Sequence, residues 1–423
     1  MTQEVKQRIE QIRRGEVPEG YVKTRAGVMP LDWEVNVPAK AVFKNHSDKK
    51  HNGQFEVLSA TQDRGIIPRN EVDIDIKYDE GGIDSYKKVE KGDFVISLRS
   101  FQGGIEYSEY DGLVSPAYTV LKAKKPIYPG YYRAYFKTVD FINRLNGAVY
   151  GIRDGKQIGY EDFGDLIIHY PPLEEQKKIA QVLDACDRVI ELKQKLLDEM
   201  KKLKKVCLEK MFPQKESSVP EIRFPGFTAP WEQRKLGDAA CVIGGNAWKS
   251  TDYSDSGEYL VVTIANVSGD VFINDAVGNH LSCDNPEGYL LDENDILVSL
   301  TGNVGRVSKM TRIQGLLNQR VGKIVPNSSD VNAGFLFHVL RNPCFEKAMI
   351  DAGQGAAQKN ISNSDVLNYS FLLPVDKDEQ ASIACYFDEL DNLITLHQRE
   401  LEAEQQKKKA LMQLLLTGIV RTV

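Results

Sequence analysis

Between Pro172 and Phe212 the chain has no other proline and no glycine, and its apolar residues fall at Ile179, Val182, Cys186, Val189, Leu196, Met200, Leu203 and Cys207. Steps of three and four are the rhythm of a helix that packs on another helix. One polar break, Lys193, falls where that rhythm expects an apolar residue. Roughly 38 residues at about 1.5 Å each predict a rod of about 57 Å, longer than a small domain is wide. Placed in mid-chain, such a rod acts as a spacer.

The same rod returns near the C-terminus. Glu175, Gln176, Ile179, Leu183, Asp184, Asp187, Ile190, Leu197, Lys204, Lys205 and Leu208 reappear as Glu379, Gln380, Ile383, Phe387, Asp388, Asp391, Ile394, Leu401, Lys408, Lys409 and Met412, at a constant offset of 204. One offset held along a whole helix marks an internal repeat. Pro171-Pro172 and Pro374 suit helix starts, Glu174 and Glu175 place negative charge at the positive helix end, and Asp376 and Glu379 are spaced like a capping pair. The middle of the second rod (His397, Glu404, Lys407) is polar and is expected to face a partner.

The rest of the chain repeats more loosely. Strand-like runs at Phe55–Leu58, Asp73–Ile76, Asp93–Leu98 and Tyr118–Leu121 precede an amphipathic helix over Tyr131–Leu145, a Gly-rich loop over 147–159 and a strand over Phe163–Tyr170. After a linker over 213–222 the order recurs. Trp231 stands where Trp33 does, Asp295–Leu300 answers Asp93–Leu98, Phe335–Ile350 answers the first amphipathic helix, and 353–361 answers the Gly-rich loop. A chain ordered domain, rod, domain, rod can bury both apolar stripes only if the rods run antiparallel. The expectation is an α+β protein with a pseudo-twofold repeat: domains at 1–172 and 223–374, long coiled-coil helices at 173–212 and 375–418.

Composition adds limits. The 423 residues are 42% hydrophobic and 27% charged, with a net charge of −6. This is ordinary globular composition, and no run of about 18 apolar residues is present to span a membrane. Six scattered cysteines, without a Cys-x-x-Cys pair, and six histidines argue against a zinc site and for reduced thiols in a cytoplasm. An acidic total argues mildly against nucleic acid, unless a more basic partner shares the phosphate contacts.

Catalytic patterns fail one by one. Asn342-Pro343-Cys344-Phe345 lacks the second proline of an adenine-methylation loop, and neither Lys249-Ser250 nor Gly322-Lys323 completes a phosphate-binding loop. The Lys177 of Glu175-x-Lys177 becomes Ala381 in the twin, so a metal-nuclease half-site is not part of the repeated design. The chain reads as a binder.

Two pairs of matched loops could read a nucleic acid. One pair carries Arg153, Lys156 and Gln157 in the first half and Gln358, Lys359 and Asn360 in the second. The other carries Arg99 and Gln102 after one strand, and Thr301, Asn303 and Arg306 after its twin. Arg and Lys suit phosphates and guanine, and Gln and Asn suit adenine. Taken singly, each loop reads more readily as a solvated turn; recurrence in both halves brings the interface level with that reading for the first pair. Trp33 and Trp231 are expected to be core anchors.

The doubled plan, the Pro171–Gln176 and Pro374–Gln380 helix openings, and above all Arg223-Phe224-Pro225-Gly226-Phe227 followed by Trp231-Glu232-Gln233-Arg234-Lys235-Leu236-Gly237 resemble the DNA-specificity subunits of type I restriction–modification systems, over essentially the whole chain. The resemblance implies two target-recognition domains, each reading one half of a bipartite double-stranded DNA site. It also implies spacer helices that dock two methyltransferase subunits, with restriction–translocase subunits joining through them. Glu175, Gln176, Glu379, Gln380 and His397 are the expected partner-facing residues. No cofactor is expected on this chain: S-adenosylmethionine, ATP and Mg2+ would sit on partner subunits of a cytoplasmic, bacterial complex, and the chain itself would be non-catalytic. The same organisation also fits a scaffold with two protein-binding heads and no role at DNA.

Overall fold

A computed structural model of the chain describes residues 2–422 apart from 25–26, 50, 52–54, 73–79, 149–157, 215–216, 328 and 354–359. The chain forms two compact units, Met1–Lys193 with Glu400–Val423 and Gln194–Arg399. Each unit therefore owns one domain, part of the first long helix and part of the second.

In the first unit, α1 (Gln3–Arg13) is followed by β1 (Glu34–Pro38), β2 (Phe43–Asn45), β3 (Phe94–Ile96), β4 (Glu106–Tyr107) and β5 (Thr119–Ala123). Then come α2 (Pro129–Tyr135), α3 (Val139–Ala148), β6 (Ile167–Tyr170) and α4 (Leu173–Lys210). An antiparallel sheet in the order β2-β5-β3-β4 packs its inner face on α2 and α3. The core between them is aromatic: Phe43, Phe94, Tyr131, Tyr132, Tyr135, Phe136, Phe141 and Phe163 are all buried.

The second unit has β7 (Glu232–Lys235), β8 (Ala240–Gly244), β9 (Tyr259–Val262), β10 (His280–Leu281), β11 (Leu290–Leu291), β12 (Ile296–Ser299), β13 (Val307–Lys309), β14 (Gly315–Leu317) and β15 (Val321–Pro326). It closes with α5 (Ala333–Leu340), α6 (Pro343–Ala352), β16 (Ser370–Leu373) and α7 (Lys377–Leu416). Its antiparallel sheet β8-β15-β12-β13 answers the first unit's sheet, and a second sheet, β10-β9-β14-β11, is added beside it.

Both amphipathic helices of the sequence reading are broken in two. Phe136-Lys137-Thr138 separates α2 from α3, with the Thr138 hydroxyl accepting the Phe141 N–H at 3.3 Å. Pro343 opens α6 at its first turn, where a missing N–H costs nothing. The strand expected over Phe163–Tyr170 is β6 alone, preceded by a short helix, Tyr160–Gly164. The strand expected at Phe55–Leu58 lies slightly later, at Leu58–Thr61, and Asp73–Ile76 lies outside the described residues.

The long helices run antiparallel within each unit, but only in part on the stripe their rhythm suggested. Val182, Val189, Leu196 and Leu203 are exposed, Leu203 by 49%. The buried seam keeps Ile179 and Cys207 from that stripe but takes Leu183 and Leu197 between them, and in α7 it runs through Ile383, Phe387, Leu390, Leu401, Leu415 and Leu416. A helix of 3.6 residues per turn has room for two apolar stripes, and residue spacing alone does not say which one is covered. Ion pairs lock the seam: Asp187 with Lys408, and Lys193 with Glu400 at 2.8 Å in the first unit; Asp391 with Lys204, and with Arg341 at 2.8 Å, in the second. Lys193, the apparent break in the rhythm, is thus a cross-helix contact.

Each domain is fastened to its long helix by the same joint. β1 pairs with β6, and β7 with β16, so the strand after each tryptophan runs beside the strand entering the long helix. That places the Trp33 indole N–H 2.8 Å from Glu175 Oε2, and the Trp231 indole N–H 3.3 Å from Glu379 Oε1. An arginine completes each joint. Arg421 reaches Glu175 at 2.7 and 2.9 Å, and Arg223 reaches Glu379 at 2.6 and 2.7 Å. The neighbouring glutamines are equally committed. Gln176 accepts the Tyr128 N–H at 2.9 Å and donates to the Pro171 carbonyl, while Gln380 accepts the Asn332 N–H at 2.8 Å and donates to the Pro374 carbonyl.

These joints correct one expectation. Glu175, Gln176, Glu379 and Gln380 are completely buried and satisfied within the chain, so they present nothing to a partner. Nor does Glu379 return to cap its own helix; Asp376 instead accepts the Asp378 N–H at 2.8 Å. His397 is half-buried in α7. Trp33 and Trp231 are core residues, at 2% and 3% exposure.

Candidate nucleic-acid interface

Antiparallel pairing decides which loops meet. In the second unit Gly244 lies opposite Gly322, Ser299 opposite Val321, and Val298 opposite Val307. The chain leaving β8, leaving β12, entering β13 and entering β15 therefore gathers at one end of the sheet. Thr301, Asn303 and Arg306 lie there. Asn360 joins them through a β-bridge to Thr301, and the adjacent Ile361 N–H donates to the Leu300 carbonyl at 2.9 Å.

Local chemistry holds the loop in shape. Ser299, fully buried, accepts the Arg306 N–H at 3.1 Å through its hydroxyl, and its carbonyl accepts the Gly305 N–H at 2.9 Å. Gly305 has φ +81°, and a Cβ there would stand 2.7 Å from that of Met349, so only glycine fits. Asn303 is exposed, and Arg306 is half-exposed, 3.7 Å from Glu346. The Thr301 hydroxyl is buried and has no hydrogen-bond partner among the described residues.

The first unit gathers its own loops at the matching sheet end, where Thr119 lies opposite Ile96 and Leu121 opposite Asn45. Arg99 and Gln102 are exposed there, on a helical turn that starts from the Ser97–Ser100 hydrogen bond of 2.9 Å. Gly104, at φ +80°, ends the turn; a Cβ at that point would collide with the Phe136 carbonyl oxygen. Lys137 braces the turn from below, donating to the Gly103 carbonyl at 2.9 Å and to both Glu106 oxygens at 2.6 and 2.7 Å. Burial pushes the Glu106 carboxyl above its usual range, and Lys137 opposes that rise.

Of the sequence-predicted residues, the structure thus groups Thr301, Asn303, Arg306 and Asn360 in one unit, and Arg99 and Gln102 in the other. Arg153, Lys156, Gln157, Gln358 and Lys359 lie outside the described residues. Sequence reasoning missed two pieces of the second unit's sheet end. Asn246 follows β8 and Asn318-Gln319-Arg320 precedes β15; the Gln319 N–H donates to the Asn246 carbonyl at 3.0 Å, and the Leu300 N–H to the Arg320 carbonyl at 2.9 Å. A polar triplet between the apolar runs Gly315–Leu317 and Val321–Pro326 was the available signal.

Residues 35–202 and 229–405 match the family described as the type I restriction modification DNA specificity domain. The chain is 30% identical, over 281 residues, to the type I restriction enzyme MjaVIII specificity subunit of Methanocaldococcus jannaschii, covering 61% of this chain and 63%, less than two thirds, of that relative. It is 27% identical to the MjaX specificity subunit of the same organism, over 95% of this chain and 97% of the other. Among solved structures, the type I restriction-modification S subunit from M. genitalium is similar with a TM-score of 0.57 at 13% identity, covering 90% of this chain and 96% of that one. A chain from a structural study of complex assembly and conformational transition in the type I R-M system is similar with the same TM-score of 0.57 at 17% identity, covering 93% and 99%. At these identities the structural matches show a shared fold.

Proposed function

The chain belongs to the family of type I restriction–modification DNA-specificity subunits, and we propose on that basis that it reads a bipartite DNA target, one half-site per domain, without catalysing a reaction itself. The observation that carries the reading is the doubled sheet end. Two domains of one plan each gather polar side chains suited to base edges at the same end of the same antiparallel sheet. Membership of the family supports DNA as the target.

In this reading the long helices set the gap between half-sites and seat the methyltransferase subunits, through which restriction–translocase subunits join. S-adenosylmethionine, ATP and Mg2+ then belong to those partners. The docking surface is the exposed stripe of α4: Val182, Val189 and Leu192 in the first unit, and Leu196, Leu203 and Val206 in the second. Such a row of apolar residues on an ordered helix suits a partner helix or groove.

Methylome sequencing of a variant lacking seven residues from each of α4 and α7 tests the proposal. A heptad spans about 10 Å, or about three base pairs of a duplex that turns every 34–36 Å, so the unread gap is expected to shorten by about three base pairs while both half-sites keep their sequence. Altered half-sites with an unchanged gap would overturn the reading. A complex that protects no two-part sequence would favour a protein scaffold instead.

A further inference from the structure

The second domain of the chain contains six arginines between residues 223 and 374. Five are held by carboxylates of the chain: Arg223 by Glu379, Arg234 by Glu232, Arg306 by Glu346, Arg312 by Glu293 and Arg341 by Asp391. Arg320 is the exception. Its side chain is exposed and its guanidinium has no hydrogen-bond or ion-pair partner among the described residues.

Its backbone, by contrast, is tightly held. Asn318, only 9% exposed, accepts the Arg320 N–H through its side-chain oxygen at 3.1 Å, and its carbonyl accepts the Val321 N–H at 2.9 Å. The Arg320 carbonyl accepts from Leu300 and the Gln319 N–H donates to Asn246. The turn 318–320 is thereby stitched to the loop after β8 and to the loop after β12, at the sheet end that also presents Thr301, Asn303 and Asn360. A fixed backbone carrying an uncommitted, planar, five-donor fork is the arrangement that recognises a base edge rather than a mobile phosphate. Gln319, exposed on the same turn, supplies the complementary donor–acceptor pair.

We infer that the Gln319–Arg320 turn is the base reader of the second domain, with Arg320 forked onto the major-groove edge of a guanine and Gln319 onto a neighbouring adenine. This assignment rests on the DNA-reading function proposed above and narrows it to two side chains. Arg99 is the counterpart in the first domain: it is exposed at the matching sheet end, and its guanidinium likewise has no hydrogen-bond or ion-pair partner among the described residues.

The test uses the full chain co-purified with its methyltransferase subunits, and duplex libraries in which one half-site at a time is randomised. In R320A, one guanine position of one half-site is expected to become degenerate, with about 10–100-fold weaker binding to the original target, while the other half-site is read unchanged. R320K is expected to relax the same position, because an ammonium cannot reproduce the fork. R99A is expected to relax the opposite half-site only. Since the Arg320 side chain makes no hydrogen bond or ion pair among the described residues, its variants should melt like the parent.

An unchanged motif in R320A overturns the assignment while leaving DNA reading intact. So does a uniform loss of affinity across all sequences with a shallower salt dependence, which would make Arg320 a phosphate contact. If the parent complex itself shows no two-part preference, the functional reading falls and this assignment falls with it.

Discussion

Removing the Arg421 side chain should loosen the first unit more than its position two residues from the last suggests. Its guanidinium spans Glu175 at 2.7 and 2.9 Å and Asp32 at 3.0 and 2.6 Å. These hydrogen bonds, from Glu175 first, raise its pKa above the usual arginine value. Glu175 is completely buried, and R421A leaves it the Trp33 indole, at 2.8 Å, as its donor among the described residues. Breaking one side of a buried ion pair costs about 3–5 kcal/mol; with the Arg421 side chain 20% exposed, the lower end applies, about 3 kcal/mol. For a unit of this size each kcal/mol moves the midpoint by about 2–4 °C, so calorimetry should show a fall of about 6–12 °C. The penalty is that of an orphaned charge, so the double variant E175Q/R421M should recover at least half of it. A fall of less than about 2 °C in R421A, or a double variant no better than the single one, would refute the reasoning.

The second unit should weaken in mild acid. Burial drives the His338 imidazole below its usual value near 6.5 and outweighs the pull of Asp388, 3.0 Å away, so the folded form refuses a proton that the unfolded chain accepts. Stability is therefore full above pH about 6.5 and declines below it by up to about 1.4 kcal/mol per pH unit; H338Q should flatten that slope, and equal slopes in both proteins would remove His338 as its source. V189D/L192D, on the exposed stripe of α4, should leave the melting midpoint within about 0.5 kcal/mol of the parent yet prevent co-elution with the methyltransferase; an intact complex on size exclusion would move the docking surface elsewhere. K156A and K359A should each weaken DNA binding and reduce the salt slope by about 1, as read from titrations at several salt concentrations; unchanged slopes would exclude both from phosphate contact.

What the sequence disclosed, and what it hid, divides along physical lines. The long helices were legible because a rhythm of three and four over that length has one structural solution, and the constant offset made the duplication visible. The seam was legible only in part. Val189 and Leu197 look alike in a list of apolar residues, and only Leu197 is covered. The four polar residues at the helix starts were misplaced for a different reason. A lone buried carboxylate is too costly to expect, and the arginines that make Glu175 and Glu379 tolerable come from Arg421 and Arg223, far away in the chain. Arg320 was overlooked because nothing in the repeat singled out its turn; it stands out only once the other five arginines are seen to be occupied.

The division into compact units has a consequence for synthesis. The second unit is one continuous stretch, Gln194–Arg399, whereas the first is completed by Glu400–Val423. Ile179 and Leu183 share a core with Leu415 and Leu416, which are translated more than 200 residues later. At about 5–20 residues per second, the nascent first domain waits roughly 10–45 s for them. Throughout that interval an apolar helix surface stands open on the ribosome, so the part begun earliest is finished last, and the burden of keeping it soluble falls on whatever attends the growing chain.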